Sequence, residues 1–197
     1  MEFLDILFPK RCLGCGRIGK YFCSSCRTII AYINSPMYPM DMDGLTSFFR
    51  YQGIIQKAIK ALKYRSISDL ASEFVSLIPQ VEIPIVDVFI PVPLHASRYR
   101  QRGFNQAEVL GRLIAEKLHT PLRTDILKRI KRTIPQVEMK KRKERLKNME
   151  KVFAATHSPE RVLLFDDVFT TGATMRSAAK VLKKRGAKFV WGMTMAR

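Results

Sequence analysis

The chain has 197 residues, 47% of them hydrophobic, enough for one ordinary domain with a small appended module and too apolar for a disordered tail. Thirty-five Lys and Arg against 17 Asp and Glu give a formal charge of +18, which points to nucleic acid, phosphorylated ligands or an anionic membrane surface without choosing among them. No run approaches the roughly eighteen apolar residues of a membrane span, and the start Met1-Glu2-Phe3-Leu4-Asp5 is acidic where a secretory signal is basic, so the expected location is the cytoplasm, with a peripheral place at the inner face of the membrane as the variant.

Residues 2–8 have the periodicity of a short amphipathic helix ending at Pro9. Cys12-Leu13-Gly14-Cys15 and Cys23-Ser24-Ser25-Cys26 follow, two CxxC pairs that can each place both thiolates on one tetrahedral ion through a tight turn. Gly14 and Gly16 suit that turn. Four sulfurs with no His and no open ligand position describe a closed structural zinc site. Two disulfides, a redox dithiol and an iron–sulfur cluster are the competing readings; doubled pairs in a chain expected in the cytoplasm favour the metal. The module is expected to span 1–34, with Pro36, Pro39 and Gly44 marking a linker at the start of a larger domain over 35–197.

From Thr46 to Tyr51 the pattern is strand-like, and Ile54–Leu62 is helical, with apolar residues at 55, 58, 59 and 62. A second helix is expected over Leu70–Ile78. Val86–Leu94 reads as a buried strand ending at two prolines, followed by a helix over Gln106–Leu118. Residues 123–151 carry twelve basic and four acidic side chains, which predicts a mobile, solvated hood. Arg161–Phe165 is a short buried strand, Thr174–Arg185 a helix closed by Gly186, and Lys188–Met195 a last strand. Strands alternating with helices predict an α/β fold with a mainly parallel sheet.

Between the strand at 161–165 and the helix from 174 stands Asp166-Asp167-Val168-Phe169-Thr170-Thr171-Gly172-Ala173-Thr174. A loop running from a strand's carboxyl end into a helix N-terminus presents backbone N–H groups and a positive dipole end to an anion, and the threonine hydroxyls add donors. Gly172 lets the backbone approach closely. The paired acids repel a phosphate but suit vicinal ribose hydroxyls, so the segment reads as a ribose 5-phosphate site. His95, His119 and His157 form no ligand or triad spacing.

This segment resembles the ribose-phosphate signature of the type I phosphoribosyltransferases. Leu62-Lys63-Tyr64, Pro91-Val92-Pro93-Leu94, the run from Arg98 through Arg100 and Arg102 to Gly103-Phe104-Asn105-Gln106, Gln136, Arg142, Arg145 to Asn148, and Phe153 extend the likeness to the ComF family of competence proteins over nearly the whole chain. Ser66 departs from the pattern, where a glycine would follow the Lys-Tyr-Arg run.

The resemblance implies a type I phosphoribosyltransferase-like sheet with an N-terminal zinc knuckle, and a role in natural transformation, handling incoming single-stranded DNA. It also implies binding of phosphoribosyl pyrophosphate (PRPP) with magnesium by Asp166, Asp167, Thr170, Thr171, Gly172, Ala173 and Thr174. Arg98, Arg100 and Arg102 follow the strand end where that superfamily holds pyrophosphate; their spacing by two suits an irregular loop with the three charges near one edge. The hood, with Lys140, Lys141, Arg142, Lys143 and Arg145, either closes over the site or contacts a nucleic-acid backbone. Three functions fit: a DNA-uptake protein that binds PRPP or a related ribose 5-phosphate, an active phosphoribosyltransferase on an unidentified acceptor, and a scaffold docking a DNA-uptake helicase or membrane channel.

Overall fold

The structure, a computed structural model, describes residues 9–64, 68–131 and 152–197. The helix expected over 2–8 lies outside these residues. A four-residue helix, α1 (Ser24–Arg27), belongs to the cysteine module; β1 (Gly44–Phe49), α2 (Gly53–Tyr64), α3 (Ser68–Val75), β2 (Val88–Pro91), α4 (Ala96–Arg102) and α5 (Gln106–Lys117) follow. Then come β3 (Leu127–Arg129), β4 (Phe153–Ala155), β5 (Arg161–Val168), α6 (Ala173–Lys184) and β6 (Phe189–Ala196).

Four strands form a wholly parallel sheet in the order β1-β6-β5-β2, with Ser47 opposite Thr194, Phe165 opposite Met193 and Pro91 opposite Phe165. The expected α/β fold with a parallel core is therefore present. Strand alternation sorts the core into two layers. Leu163, Phe165, Met193 and Met195 pack with α2, α3 and α5, whereas Val162, Leu164 and Val190 pack with α6. On α2 the buried residues Ile54, Ile55, Ala58, Ile59 and Leu62 keep the helical spacing read from the sequence.

The cysteine module is continuous with the first layer: Phe22 stacks on Phe74 of α3 and Phe74 on Phe49 of β1, each at 5.6 Å between ring centroids. Cys12, Cys23 and Cys26 are buried in that same cluster. The segment expected as linker pairs with the sheet edge, Met37 and Leu45 exchanging backbone hydrogen bonds of 3.0 and 2.7 Å. With the Ile33 N–H on Phe48 O and the Arg50 N–H on Ala31 O, each at 2.9 Å, that pairing covers β1's outer edge.

Two expectations are corrected. Residues 96–102 are a helix and not an irregular loop, because His95 caps it by accepting from the Ser97 N–H, and Gly103, at φ +79°, closes it with an N–H to Tyr99 O at 2.7 Å. The basic stretch from 123 is not solvated throughout. β3 and β4 pair antiparallel, Leu127 opposite Ala155, and Ile126, Leu127, Val152, Phe153 and Ala155 are buried against the α6 layer. Residues 132–151, with Lys140, Lys141, Arg142, Lys143 and Arg145, lie outside the described residues, as do 65–67.

Candidate functional site

The first CxxC pair lies in a turn closed by Gly16 N–H to Cys12 O at 2.8 Å, Gly16 taking φ +79°. The second spans the single turn of α1, where the N–H groups of Cys26 and Arg27 both reach Cys23 O at 3.0 Å. The four sulfurs lie within 4.8 Å of one another, the one such cluster among the described residues. The Sγ atoms of Cys15 and Cys23 are 3.7 Å apart, far beyond a bonded pair at about 2.05 Å, and all four cysteines are free. Gly14 leaves room for this: a Cβ there would stand 2.6 Å from Cys26 Sγ.

Burial pushes the Cys12 thiol up, but hydrogen bonds with the backbone at Cys15, Cys23 and Gly14 outweigh it and bring Cys12 down to about 6. Cys26 is pushed up to about 12, first by its contact with Cys23 and then by burial. So close a set does not ionise fully on its own; a dication such as zinc is the partner that lets all four sulfurs act as thiolates. The donor set fits a closed structural zinc site held by Cys12, Cys15, Cys23 and Cys26.

The second site lies at the carboxyl end of the sheet. β2 and β5 are neighbours, and the Val92 N–H continues the ladder to Phe165 O at 2.7 Å, so the loops after both strands leave from the same edge. The helices that follow diverge: α5 packs in one layer and α6 in the other. Adjacent strands whose following helices lie on opposite faces open a crevice at their carboxyl ends, where open α/β sheets bind ligands.

Asp166 and Asp167 belong to β5 itself, half-buried at its end, with the Asp167 N–H on Asp166 Oδ1 at 2.9 Å. Thr170 and Thr171 are exposed, and Thr171 Oγ1 accepts from the Ala173 N–H at 3.4 Å. Gly172 is the cap of α6, at φ +72°, and no side chain caps that helix. A Cβ on Gly172 would stand 2.4 Å from the Phe169 ring, so the loop is drawn tightly over a buried aromatic. Ala173 and Thr174 are half-buried in the first turn of α6, beside the helix's positive end.

The three arginines divide. Arg98 and Arg102, four residues apart, are half-buried on one side of α4, whereas Arg100 is exposed. Arg102 Nη1 donates to Gln106 Oε1 at 3.0 Å. Asn105 caps α5 through the Ala107 N–H and donates to Val92 O at 3.0 Å, tying that helix to the end of β2. Three further residues stand beside these loops. Asn105 is the tie just described; Gln106, buried, has an Nε2 with no hydrogen-bond partner among the described residues; and Arg129 of β3 feels the charges of both Arg98 and Asp166. The apolar pair Ile126-Leu127 ahead of Lys128 and Arg129 is the signal that the basic stretch does not begin as a solvated segment.

Residues 3–38 match the double zinc ribbon domain family. Competence protein F of Haemophilus influenzae is 33% identical over 155 residues, covering 75% of this chain and 64% of that protein. Competence protein ComFC of Bacillus subtilis is 30% identical over 159 residues, 77% of this chain and 63% of that one. The chain is a homologue of the ComF-type competence proteins. It spans a little under two thirds of the length of those two relatives. The DNA utilization protein YhgH of Escherichia coli K12 is 26% identical over 194 residues, 91% of this chain and 85% of that protein. Among solved structures, one titled as the allosteric regulatory enzyme of purine biosynthesis aligns over 72% of this chain and 26% of its own at a TM-score of 0.39 and 19% identity, a likeness too distant to argue from. No helix among the described residues is long and apolar enough to cross a membrane.

Proposed function

We propose that the chain binds a ribose 5-phosphate ligand, PRPP with magnesium foremost, in the crevice between β2 and β5, and that it serves natural transformation by handling single-stranded DNA. The observation that carries the first half is the junction of the two loops: Asp166 to Thr174 and the segment from Val92 to Gln106 leave neighbouring strands at one edge, with α5 and α6 on opposite faces. Asp166 and Asp167 accept from ribose hydroxyls, Thr170, Thr171, Gly172, Ala173 and Thr174 cradle the 5-phosphate, and magnesium arrives with the diphosphate. Arg98 and Arg102, on the inward side of α4, serve the diphosphate; Arg100 contributes only long-range attraction.

The names of the relatives and the +18 charge support the second half. Lys140, Lys141, Arg142, Lys143 and Arg145 are the proposed phosphate contacts, the cysteine module over 1–34 is the proposed structural unit beside the ligand-binding domain over 35–197, and a DNA-uptake helicase or membrane channel is the proposed protein partner. Calorimetric titration with PRPP and magnesium tests the ligand. An absence of binding at millimolar PRPP overturns it.

A second function rests on the same crevice: phosphoribosyl transfer to an unidentified acceptor. Expelling pyrophosphate from an anomeric carbon is chiefly positioning and electrostatics, which loops of this kind supply without a catalytic His or Cys. Pyrophosphate release in the presence of candidate acceptors decides between binding and turnover.

A further inference from the structure

The four cysteines of the zinc site are not equally placed. Cys12, Cys23 and Cys26 are buried, at 4%, 8% and 8% exposure, in the core cluster they share with Phe49 and Phe74, whereas Cys15 is exposed. Every residue from 14 to 20 is exposed, and a Cβ on Gly16 or Gly19 would meet nothing within 4 Å, so no described part of the chain covers that side of the turn carrying Cys15. Cys15 stands between Gly14 and Gly16, at the turn of the hairpin in which Arg11 pairs with Ile18. Cys23 is held more firmly: the N–H groups of Tyr21 and Phe22, just before it, rest on the Glu73 carboxylate, and Cys23 O accepts from Cys26 and Arg27. The sulfurs of Cys15 and Cys23 are 3.7 Å apart. A disulfide needs about 2.05 Å, so a shift of less than about 2 Å by the glycine-flanked residue closes the gap.

We propose that Cys15 is an oxidative modification site: a hydroperoxide oxidises its thiolate, Cys23 closes a disulfide onto it, and the module loses its hold on the metal. This rests on the four sulfurs holding zinc and is independent of any ligand at the carboxyl end of the sheet. The thiolate, the form in which a sulfur ligates zinc, is also the nucleophile toward peroxides, and burial of the other three leaves Cys15 as the ligand an oxidant meets first. The Cys15 sulfur attacks one oxygen of hydrogen peroxide; the O–O bond breaks, hydroxide leaves, and Cys15 becomes a sulfenic acid. The Cys23 thiolate then attacks that sulfur, the S–O bond breaks, and a second hydroxide leaves. Two thiolates have lost two electrons, the peroxide has gained them, and both hydroxides take protons from the medium to become water. Cys12 and Cys26 remain, two ligands where a closed tetrahedral site needs four. A dithiol reductant reverses the bond by exchange.

The experiment treats the zinc-loaded full chain with hydrogen peroxide, reads freed metal with a chromogenic chelator against a sample without peroxide, and maps disulfides by mass spectrometry without reduction. A parallel sample traps sulfenic acid with dimedone. Zinc is expected to appear in step with a Cys15–Cys23 disulfide, dimedone to mark Cys15 ahead of the other three, and dithiothreitol with added zinc to restore the site. Cys15→His, which keeps a fourth zinc ligand without a thiol, is expected to slow release by at least about tenfold. Dimedone on Cys12, Cys23 or Cys26 ahead of Cys15, or a first disulfide other than Cys15–Cys23, overturns the proposal on the unaltered chain, whether or not the variant folds. Full retention of zinc under excess peroxide, or unslowed release from zinc-loaded Cys15→His, overturns it as well. A chain purified without chelator that holds no zinc overturns the metal site itself and the role of Cys15 with it.

Discussion

The carboxylate of Glu73, on α3, accepts the backbone N–H of Phe22 at 2.9 Å through one oxygen and that of Tyr21 at 3.0 Å through the other. The guanidinium of Arg27 stands 3.8 Å from the same carboxylate, and its Nε donates to Phe22 O at 3.1 Å. A carboxylate from the α/β domain therefore replaces water for two N–H groups of the cysteine module. Charge-assisted bonds of this kind contribute about 1.5 to 3 kcal/mol each, and losing both is less than additive. Glu73→Ala should cost roughly 2 to 4 kcal/mol of unfolding free energy in zinc-replete buffer, and Glu73→Gln, which keeps one acceptor, about half of that. Unfolding by urea is the measurement; an unchanged midpoint for Glu73→Ala contradicts the clamp.

Zinc removal should be felt far from the sulfurs. Cys12, Cys23 and Cys26 are buried in one cluster with Phe49, Phe74 and Met193, so the module should not melt as a separate unit. Thermal unfolding of the zinc form should show one transition, and chelation should lower its midpoint as a whole. Two resolved transitions, with the higher one insensitive to chelator, would show the module to be energetically independent.

Gly172→Ala meets two obstacles, a φ of +72° and a Phe169 ring 2.4 Å from the new Cβ. The loop must shift away from the phosphate position or the ring must leave the core. PRPP affinity should fall by more than about tenfold, whereas zinc content should stay at one per chain, as elemental analysis would show. Unaltered PRPP binding would place the ligand elsewhere.

Replacing Asp166 and Asp167 together by Asn keeps their shape but removes charged acceptors for the ribose hydroxyls. Titration should show PRPP weakened by about tenfold or more, since one charge-assisted bond of about 1.4 kcal/mol already accounts for that factor. Single-stranded DNA binding, if it uses a separate surface, should be nearly unaffected. A double variant that binds PRPP like wild type would remove the acids from the site.

Affinity for single-stranded DNA should show little sequence preference and fall steeply as salt rises, because Lys and Arg contacts release counterions from phosphate. A salt series on homopolymers of different base measures both properties. A flat salt dependence would mean that the +18 charge is not the binding device.

The parts legible in the sequence are those whose signal is local. Two CxxC pairs within fifteen residues declare their own convergence, and the strand, acids, threonines and Gly172 of the phosphate loop stand in one continuous run. α4 escaped because none of its residues is buried, so it has no apolar stripe to betray a helix; only its caps, His95 and Gly103, mark it. The ribbon escaped because Leu127 meets Ala155 across a charged segment, and short strands whose partner is distant leave a weak pattern. Glu73 read as one more acid on a helix face. Its partners, Tyr21 and Phe22, are backbone groups 52 and 51 residues away, and no side-chain pattern records them.

The place of β6 between β1 and β5 has a consequence for synthesis on the ribosome. Ser47 and Thr194, whose hydroxyls meet at 2.8 Å across the β1–β6 pair, are 147 residues apart. At about 5 to 20 residues per second, β1 therefore waits roughly 7 to 30 seconds for its parallel partner β6. The aromatic stack of Phe22, Phe49 and Phe74 needs nothing beyond α3, so the cysteine module, β1 and the first two large helices can gather before the rest of the sheet exists. The bound metal then acts as an early foothold for the nascent chain: it organises the first packed surface at the N-terminal end, and the backbone pairing of Met37 with Leu45 shields part of the waiting strand from pairing with another copy.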